Sequence, residues 1–109
     1  MNIYISAPIT GRTVDDITLV FSYAKTQLEY YGHRVIDPWA IGQTLPELKH
    51  EDYLAIDKEI IARAADAVYF CAGWQSSKGC QSELALCEEL DIKTYFDISE
   101  VAREAQGGN

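Results

Sequence analysis

Hydrophobic and polar positions along this 109-residue chain switch between two periods, and the switches mark its elements. Asn2 to Ser6 is a short β-prone run that ends in the turn-forming stretch Ala7-Pro8-Ile9-Thr10-Gly11-Arg12. Thr13 with Asp16 reads as a helix N-cap. Ile17, Val20, Phe21, Ala24, Leu28 and Tyr31 then form a helical stripe that Gly32 stops. Arg34 to Asp37 reads as a second strand ended by Pro38, followed by a loop with Gly42 and Pro46. A helix is predicted from about Glu51 to Ala64, with Tyr53, Ile56, Ile60 and Ala64 on one face. Ala67 to Cys71 is the third predicted strand and Lys93 to Phe96 the fourth, with a helix carrying Glu83 between them. A short polar helix follows, and residues 106–109 read as a loose tail.

Strands alternating with helices predict one α/β domain over residues 1–105, Rossmann-like or flavodoxin-like. Its parallel sheet of about four to five strands is flanked by helices on both sides. Ligands of such sheets bind beyond the carboxyl ends of the strands. Here those ends lead into the loops after Ser6, Asp37 and Cys71.

Two acids break the pattern. In the fourth-strand-side helix, Cys80, Leu84, Leu86, Cys87 and Leu90 share a face, and Glu83 falls in its middle. In the preceding helix Asp57 falls within the apolar stripe. A carboxylate on a buried face is costly unless it has partners or a task. Two of them in so small a domain suggest a shared site, since carboxylates in different environments can divide acid and nucleophile roles. The plainer alternative for each is structural: Glu83 capping a neighbouring loop, and Asp57 bonding Tyr53 or a loop N–H.

Composition sets the limits. The net charge of −8 and the lack of any Lys/Arg cluster argue against a nucleic-acid polymer as partner. One small phosphorylated ligand held by local N–H groups stays compatible with that charge. Cys71, Cys80 and Cys87 sit at core positions without a C-x-x-C, and no signal-like segment precedes the first strand. They read as buried thiols of a cytoplasmic protein. His33 and His50 have no paired ligand nearby, so no metal site is expected, and no apolar run is long enough to span a membrane.

Four stretches carry a resemblance. They are Ile3-Tyr4-Ile5-Ser6-Ala7-Pro8-Ile9-Thr10-Gly11, Gly32 to Pro38, Asp66 to Phe70, and Gly73-Trp74-Gln75-Ser76-Ser77-Lys78-Gly79 continued to Glu83. Together they resemble the nucleoside 2-deoxyribosyltransferase-like superfamily, nearest to its small phage and bacterial branch of unknown function. The resemblance implies that Glu83 attacks the anomeric carbon, that Asp57 protonates the departing base, and that Tyr4 positions the nucleophile. Two departures stand out. Ala7 replaces the usual glycine before the proline, and the interval from Asp57 to Asp66 is one residue longer than in most relatives, which leaves Glu59 or Asp37 as substitutes for Asp57.

Ser77 bears on the substrate. Relatives acting on free nucleosides carry an acid six residues before the nucleophile, and those hydrolysing 5′-monophosphates carry a serine. A hydroxyl can donate to a phosphate oxygen that an ionised acid would repel. Ser76, Ser77, Lys78 and Gly79 at a helix N-terminus then form a candidate single-phosphate site, unless they merely cap the helix. Thr10, Gly11 and Arg12 are a second candidate anchor, Ser6 and Asp37 lie at strand ends beside them, and Trp74 or Trp39 could stack on a base. The expected activity is cleavage of the N-glycosidic bond of a (deoxy)nucleoside 5′-monophosphate without metal or organic cofactor. A deoxyribosyltransferase and a nucleotide sensor without turnover are the alternatives. Relatives complete the site with a neighbouring subunit, and Tyr23, Tyr30, Tyr31, Tyr53 and Trp74 exceed what a small core encloses, so a homodimer or larger homo-oligomer is expected.

Overall fold

The computed structural model describes residues 1–107, so Gly108 and Asn109 of the expected tail lie outside the described residues. Four strands, β1 (Asn2–Ser6), β2 (Arg34–Ile36), β3 (Ala67–Phe70) and β4 (Lys93–Tyr95), form one parallel sheet in the order β2-β1-β3-β4. Five helices flank it: α1 (Val14–Tyr30), α2 (Pro38–Gly42), α3 (His50–Ala64), α4 (Lys78–Leu90) and α5 (Ile98–Gln106). The chain winds outward from β1 in one direction to β2 and then returns past it to β3. The crevice between β1 and β3 is therefore the switch point, where ligands of such sheets bind.

Alternation along the two central strands builds two cores. Ile3, Ile5, Ala67 and Tyr69 face α1 and α5, where Ile17, Phe21, Ala24, Leu28 and Val101 meet them. Tyr4, Val68 and Phe70 face α3 and α4, where Ile61, Cys80 and Cys87 meet them. The register pairs Tyr4 with Val68 and Ser6 with Phe70, so the only hydroxyls of β1 stand on the α3/α4 face. The Thr13 side chain accepts from Asp16 N as its spacing predicted, and Gly32 ends the α1 segment at φ +87°, a conformation that needs no Cβ.

Several boundaries differ from expectation. The segment after β2 is a helix, not a loop: Asp37 caps α2 by accepting from Ala40 N, and Pro38 starts it. An N-cap acid followed by proline is a helix start, and its fixed φ costs nothing there. The expected face of α3 holds except at its end, with Tyr53, Ile56 and Ile60 half-buried and Ile60 packed on the core. Ile61 is fully buried, Leu54 and Asp57 are half-buried above it, and Ala64 is exposed. The last helix is amphipathic, buries Val101 and takes in Gln106, which the sequence assigned to the tail. All three cysteines are buried free thiols. Among the described residues no helix is long and apolar enough to cross a membrane.

Candidate active site

Glu83 lies on the inward face of α4, one turn from Cys80 and Cys87, and is 6% exposed. Both its carboxylate oxygens are occupied from β1. Tyr4 Oη donates to Oε2 at 2.5 Å, and Ser6 Oγ donates to Oε1 at 2.7 Å. Positions two apart on a strand share a face, which is how one short strand reaches both oxygens. Burial pushes the Glu83 carboxyl up to about 7, opposed by the Ser6 and Tyr4 hydroxyls and raised further by Asp57. Burial, then the charges of Glu83 and Asp57, hold the Tyr4 phenol well above its ordinary range, so Tyr4 stays a proton donor.

Asp57 faces the same space from α3. Burial raises it to about 6, with the Tyr4 hydroxyl beside it opposing the shift. Tyr4 has one proton, and its 2.5 Å bond commits that proton to Glu83. Burial is the main cause at both acids, and the Asp57 charge adds to the rise at Glu83.

The pair borders a cavity of about 260 Å³. Ile9, Phe21, Pro38, Trp39 and Leu54 supply apolar wall, while Gln43, Tyr53 and Ser77 add polar groups. The volume falls just below the roughly 300–1,000 Å³ usual for small-molecule sites. Trp39 is fixed by donating from Nε1 to Thr18 Oγ1 at 3.1 Å. Tyr53 Oη donates to Pro46 O and accepts from Leu48 N, which ties the loop before α3 to the helix.

An open depression adjoins the cavity and shares Thr10, His50, Ser77 and Gly79 with it. Arg12, Ser76 and Lys78 complete its polar lining. Neither Arg12 nor Lys78 belongs to any of the three ion pairs among the described residues. Gly73, at φ +90°, lets the Arg12 guanidinium come within 3.2 Å of where a Cβ would stand. Ser77 caps α4, its hydroxyl accepting from Cys80 N at 3.2 Å, and the residue lines both the cavity and the depression.

The structure thus gathers Tyr4, Ser6, Thr10, Asp57, Ser77, Gly79 and Glu83 around one cavity, and Arg12, Ser76 and Lys78 beside it. Gly11 forms the turn between them at φ +77°. Two expected residues stand elsewhere. Trp74 packs against Phe70 and Phe96, with ring centroids at 5.9 and 5.0 Å, and is not part of the cavity wall. Asp37 spends its carboxylate on the α2 cap and likewise does not line the cavity. Glu59, an expected substitute for Asp57, pairs with Arg63 on the exposed side of α3. The wall residues Ile9, Gln43, His50 and Tyr53 were not expected. His50, Leu54 and Asp57 recur at helical spacing, a signal visible once α3 is started at His50. Among the described residues no three His, Cys, Asp or Glu side chains are grouped to hold a metal ion.

A family model described as a domain of unknown function, DUF4406, matches residues 1–96. The chain belongs to the DUF4406 family. No curated protein and no solved structure matches it. The DUF4406 span covers all four strands and every residue of the cavity and the depression, whereas α5 lies beyond it.

Proposed function

We propose that this DUF4406 protein is a cytoplasmic N-glycosidase that cleaves a ribo- or deoxyribonucleoside 5′-monophosphate, with Glu83 as nucleophile and Asp57 as proton carrier. The observation that carries the reading is the Glu83 carboxylate, buried at a cavity with a hydroxyl donor on each oxygen and a second acid opposite. Two donors aimed at two oxygens suit the ionised group, because a protonated carboxyl would need one of those hydroxyls as acceptor. The resemblance of the β1 turn and the Gly73–Glu83 segment to the nucleoside 2-deoxyribosyltransferase-like superfamily supports the same roles.

In the first step a Glu83 oxygen forms a bond to C1′ as the C1′–N bond breaks. The electron pair leaves with the base nitrogen, which takes the proton of Asp57. In the second step water attacks C1′, Asp57 accepts the water proton, and Glu83 departs as carboxylate. A second base in place of water would make the reaction a transfer. The 5′-phosphate occupies the adjoining depression, where Arg12, Lys78, the Ser77 hydroxyl and the start of α4 face it. We further propose that the working unit is a homodimer.

A binding protein without turnover is the second reading, and the raised pKa of Glu83 favours it, since part of the population is then protonated at pH 7. Incubation with a panel of nucleoside monophosphates and nucleosides, followed by chromatography for free base, separates the two. Base and sugar phosphate released from a monophosphate are expected. Tight nucleotide binding with no base released across pH 5.5–8 leaves only the sensor.

A further inference from the structure

Ser6 Oγ donates to Glu83 Oε1 at 2.7 Å, with the Cys80 thiol beside the same hydroxyl. The residue is 1% exposed, so water has little room to replace that donor. Its main chain is already fixed by the sheet, where Ser6 O accepts from Cys71 N at 2.9 Å and Ser6 pairs in register with Phe70. The ladder therefore holds the Ser6 Cβ beside the carboxylate, and only a turn about the Cα–Cβ bond could take the hydroxyl away. Tyr4 holds Oε2 alone. With Oε1 unheld, the carboxylate could turn about its last bond, and a buried oxygen without a donor invites a proton.

The other groups facing Glu83 do not substitute for that donor. Asp57 on α3 raises the Glu83 pKa, while Lys58 on α3 lowers it by less than Ser6, Tyr4 or Asp57 shifts it. Cys80 and Cys87 on α4 are thiols that burial pushes upward, Cys87 to about 11, so they stay neutral.

We propose that Ser6 is a positioning residue that orients Glu83 for attack and favours the ionised form of its buried carboxyl. The activity part rests on the glycosidase reading, and the ionisation part rests on this geometry alone. Ser6 acts through the Glu83 carboxylate that it holds. It sets the direction of the free lone pairs and the fraction of enzyme with a usable nucleophile.

The test is an NMR titration of protein carrying ¹³C-labelled glutamate, with the Glu83 signal assigned by its loss in Glu83→Gln. Ser6→Ala should move the Glu83 midpoint upward by about one unit or more, the shift expected for losing one charge-assisted hydrogen bond. In turnover, kcat should fall roughly 10- to 100-fold with KM little changed, most steeply at the acid side of the profile. Ser6→Thr, which keeps the hydroxyl, should restore both. Should Ser6→Ala fail to fold, Ser6→Cys offers similar size with a weaker donor and the same expected direction. An unchanged midpoint in Ser6→Ala overturns the proposal, as does a Ser6→Thr protein that behaves like Ser6→Ala. If the wild-type protein releases no base from any nucleotide, the glycosidase reading falls while the titration still decides the role of Ser6.

Discussion

Tyr4 and Glu83 stand 79 positions apart in the chain and meet in a buried hydrogen bond of 2.5 Å. The meeting depends on β1 pairing with β3 and on α4 lying across the face that Tyr4, Val68 and Phe70 share. Neither residue has this environment in a local fragment, so the site exists only in the completed fold. A tyrosine held as a donor and a carboxylate held as an acceptor fit a nucleophile better than a general acid.

Replacing Glu83 by Gln keeps the size and lets the amide bond both hydroxyls, since its oxygen accepts and its NH₂ donates. Base release should fall by about 1,000-fold or more, in the range seen when a nucleophile is removed. The circular dichroism spectrum and nucleotide binding should persist. Most of the activity surviving in Glu83→Gln would remove the covalent mechanism.

The same substitution should change how stability depends on pH. The folded-state pKa values of Glu83 and Asp57 lie above their usual values, at about 7 and about 6. Between the unfolded and folded values the native state binds more protons than the unfolded chain, so raising pH through that window costs stability. The loss is absent near pH 4 and complete above about pH 7 to 8. Glu83→Gln removes the larger share. It should melt on the order of 5 °C above wild type at pH 8 and level with it at pH 4. Parallel melting curves at the two pH values make the comparison, and an equal gap at both would contradict the raised carboxyl.

Catalysis needs Glu83 ionised and Asp57 protonated. With Glu83 at about 7 and Asp57 at about 6 that is the minor of the two singly protonated forms, so kcat/KM should follow a narrow bell centred between about 6 and 7. Asp57→Asn cannot supply the proton, and should lower kcat/KM by roughly 100- to 10,000-fold while flattening the alkaline limb. An unaltered alkaline limb in Asp57→Asn would assign the acid role to another group.

Much of the fold was legible because its signals are local. Thr13 caps α1 where its spacing said it would, and Glu83 is buried at the centre of the face that Cys80 and Cys87 define. The site was less so where it depends on what a side chain meets across the fold. Ser6 was expected at the substrate; it lines the cavity and also holds Glu83, because strand alternation puts it beside Tyr4. Trp74 was expected at the base and instead packs on Phe70 and Phe96, because the 3₁₀ turn over Trp74–Ser76 directs it toward the end of β4. Trp39 reaches the cavity only because α2 is helical, a consequence of Asp37 and Pro38 that a loop assignment hides. Ala64, at the end of α3, completes a stripe on paper and meets solvent in the fold.

The outer side of α1 supplies a prediction about assembly. Leu19 and Tyr23 are each 68% exposed and Tyr30 is 80% exposed, and all three fall within one narrow stripe at helical spacing. Exposed aromatic and leucine side chains in a row are the composition of an interface core. Light scattering at micromolar concentration should give twice the 12.2 kDa chain mass or more. Tyr23→Glu should shift the mass toward one chain, and a wild-type mass near 12.2 kDa would require one chain to close its own pocket.

Ser77 has two tasks, and two substitutions should separate them. Its oxygen caps α4 through Cys80 N, and the residue lines the rim shared by the cavity and the depression, where the hydroxyl can turn to donate to a phosphate. Ser77→Ala loses both, and should cost about 1 kcal/mol of stability as a lost N-cap besides weakening monophosphate binding. Ser77→Asp keeps a good cap and an acceptor at the helix N-terminus, so its melting temperature should stay near that of wild type. Its charge opposes a phosphate, however, and offers an acceptor to a free 5′-hydroxyl. Monophosphate affinity should therefore drop by roughly 10-fold or more in Ser77→Asp, the scale of one charge-assisted hydrogen bond, while the matching nucleoside holds or gains. Titration calorimetry with the two ligands on the three proteins measures the pattern. Equal losses for monophosphate and nucleoside would take the phosphate out of this rim and return the transferase to first place.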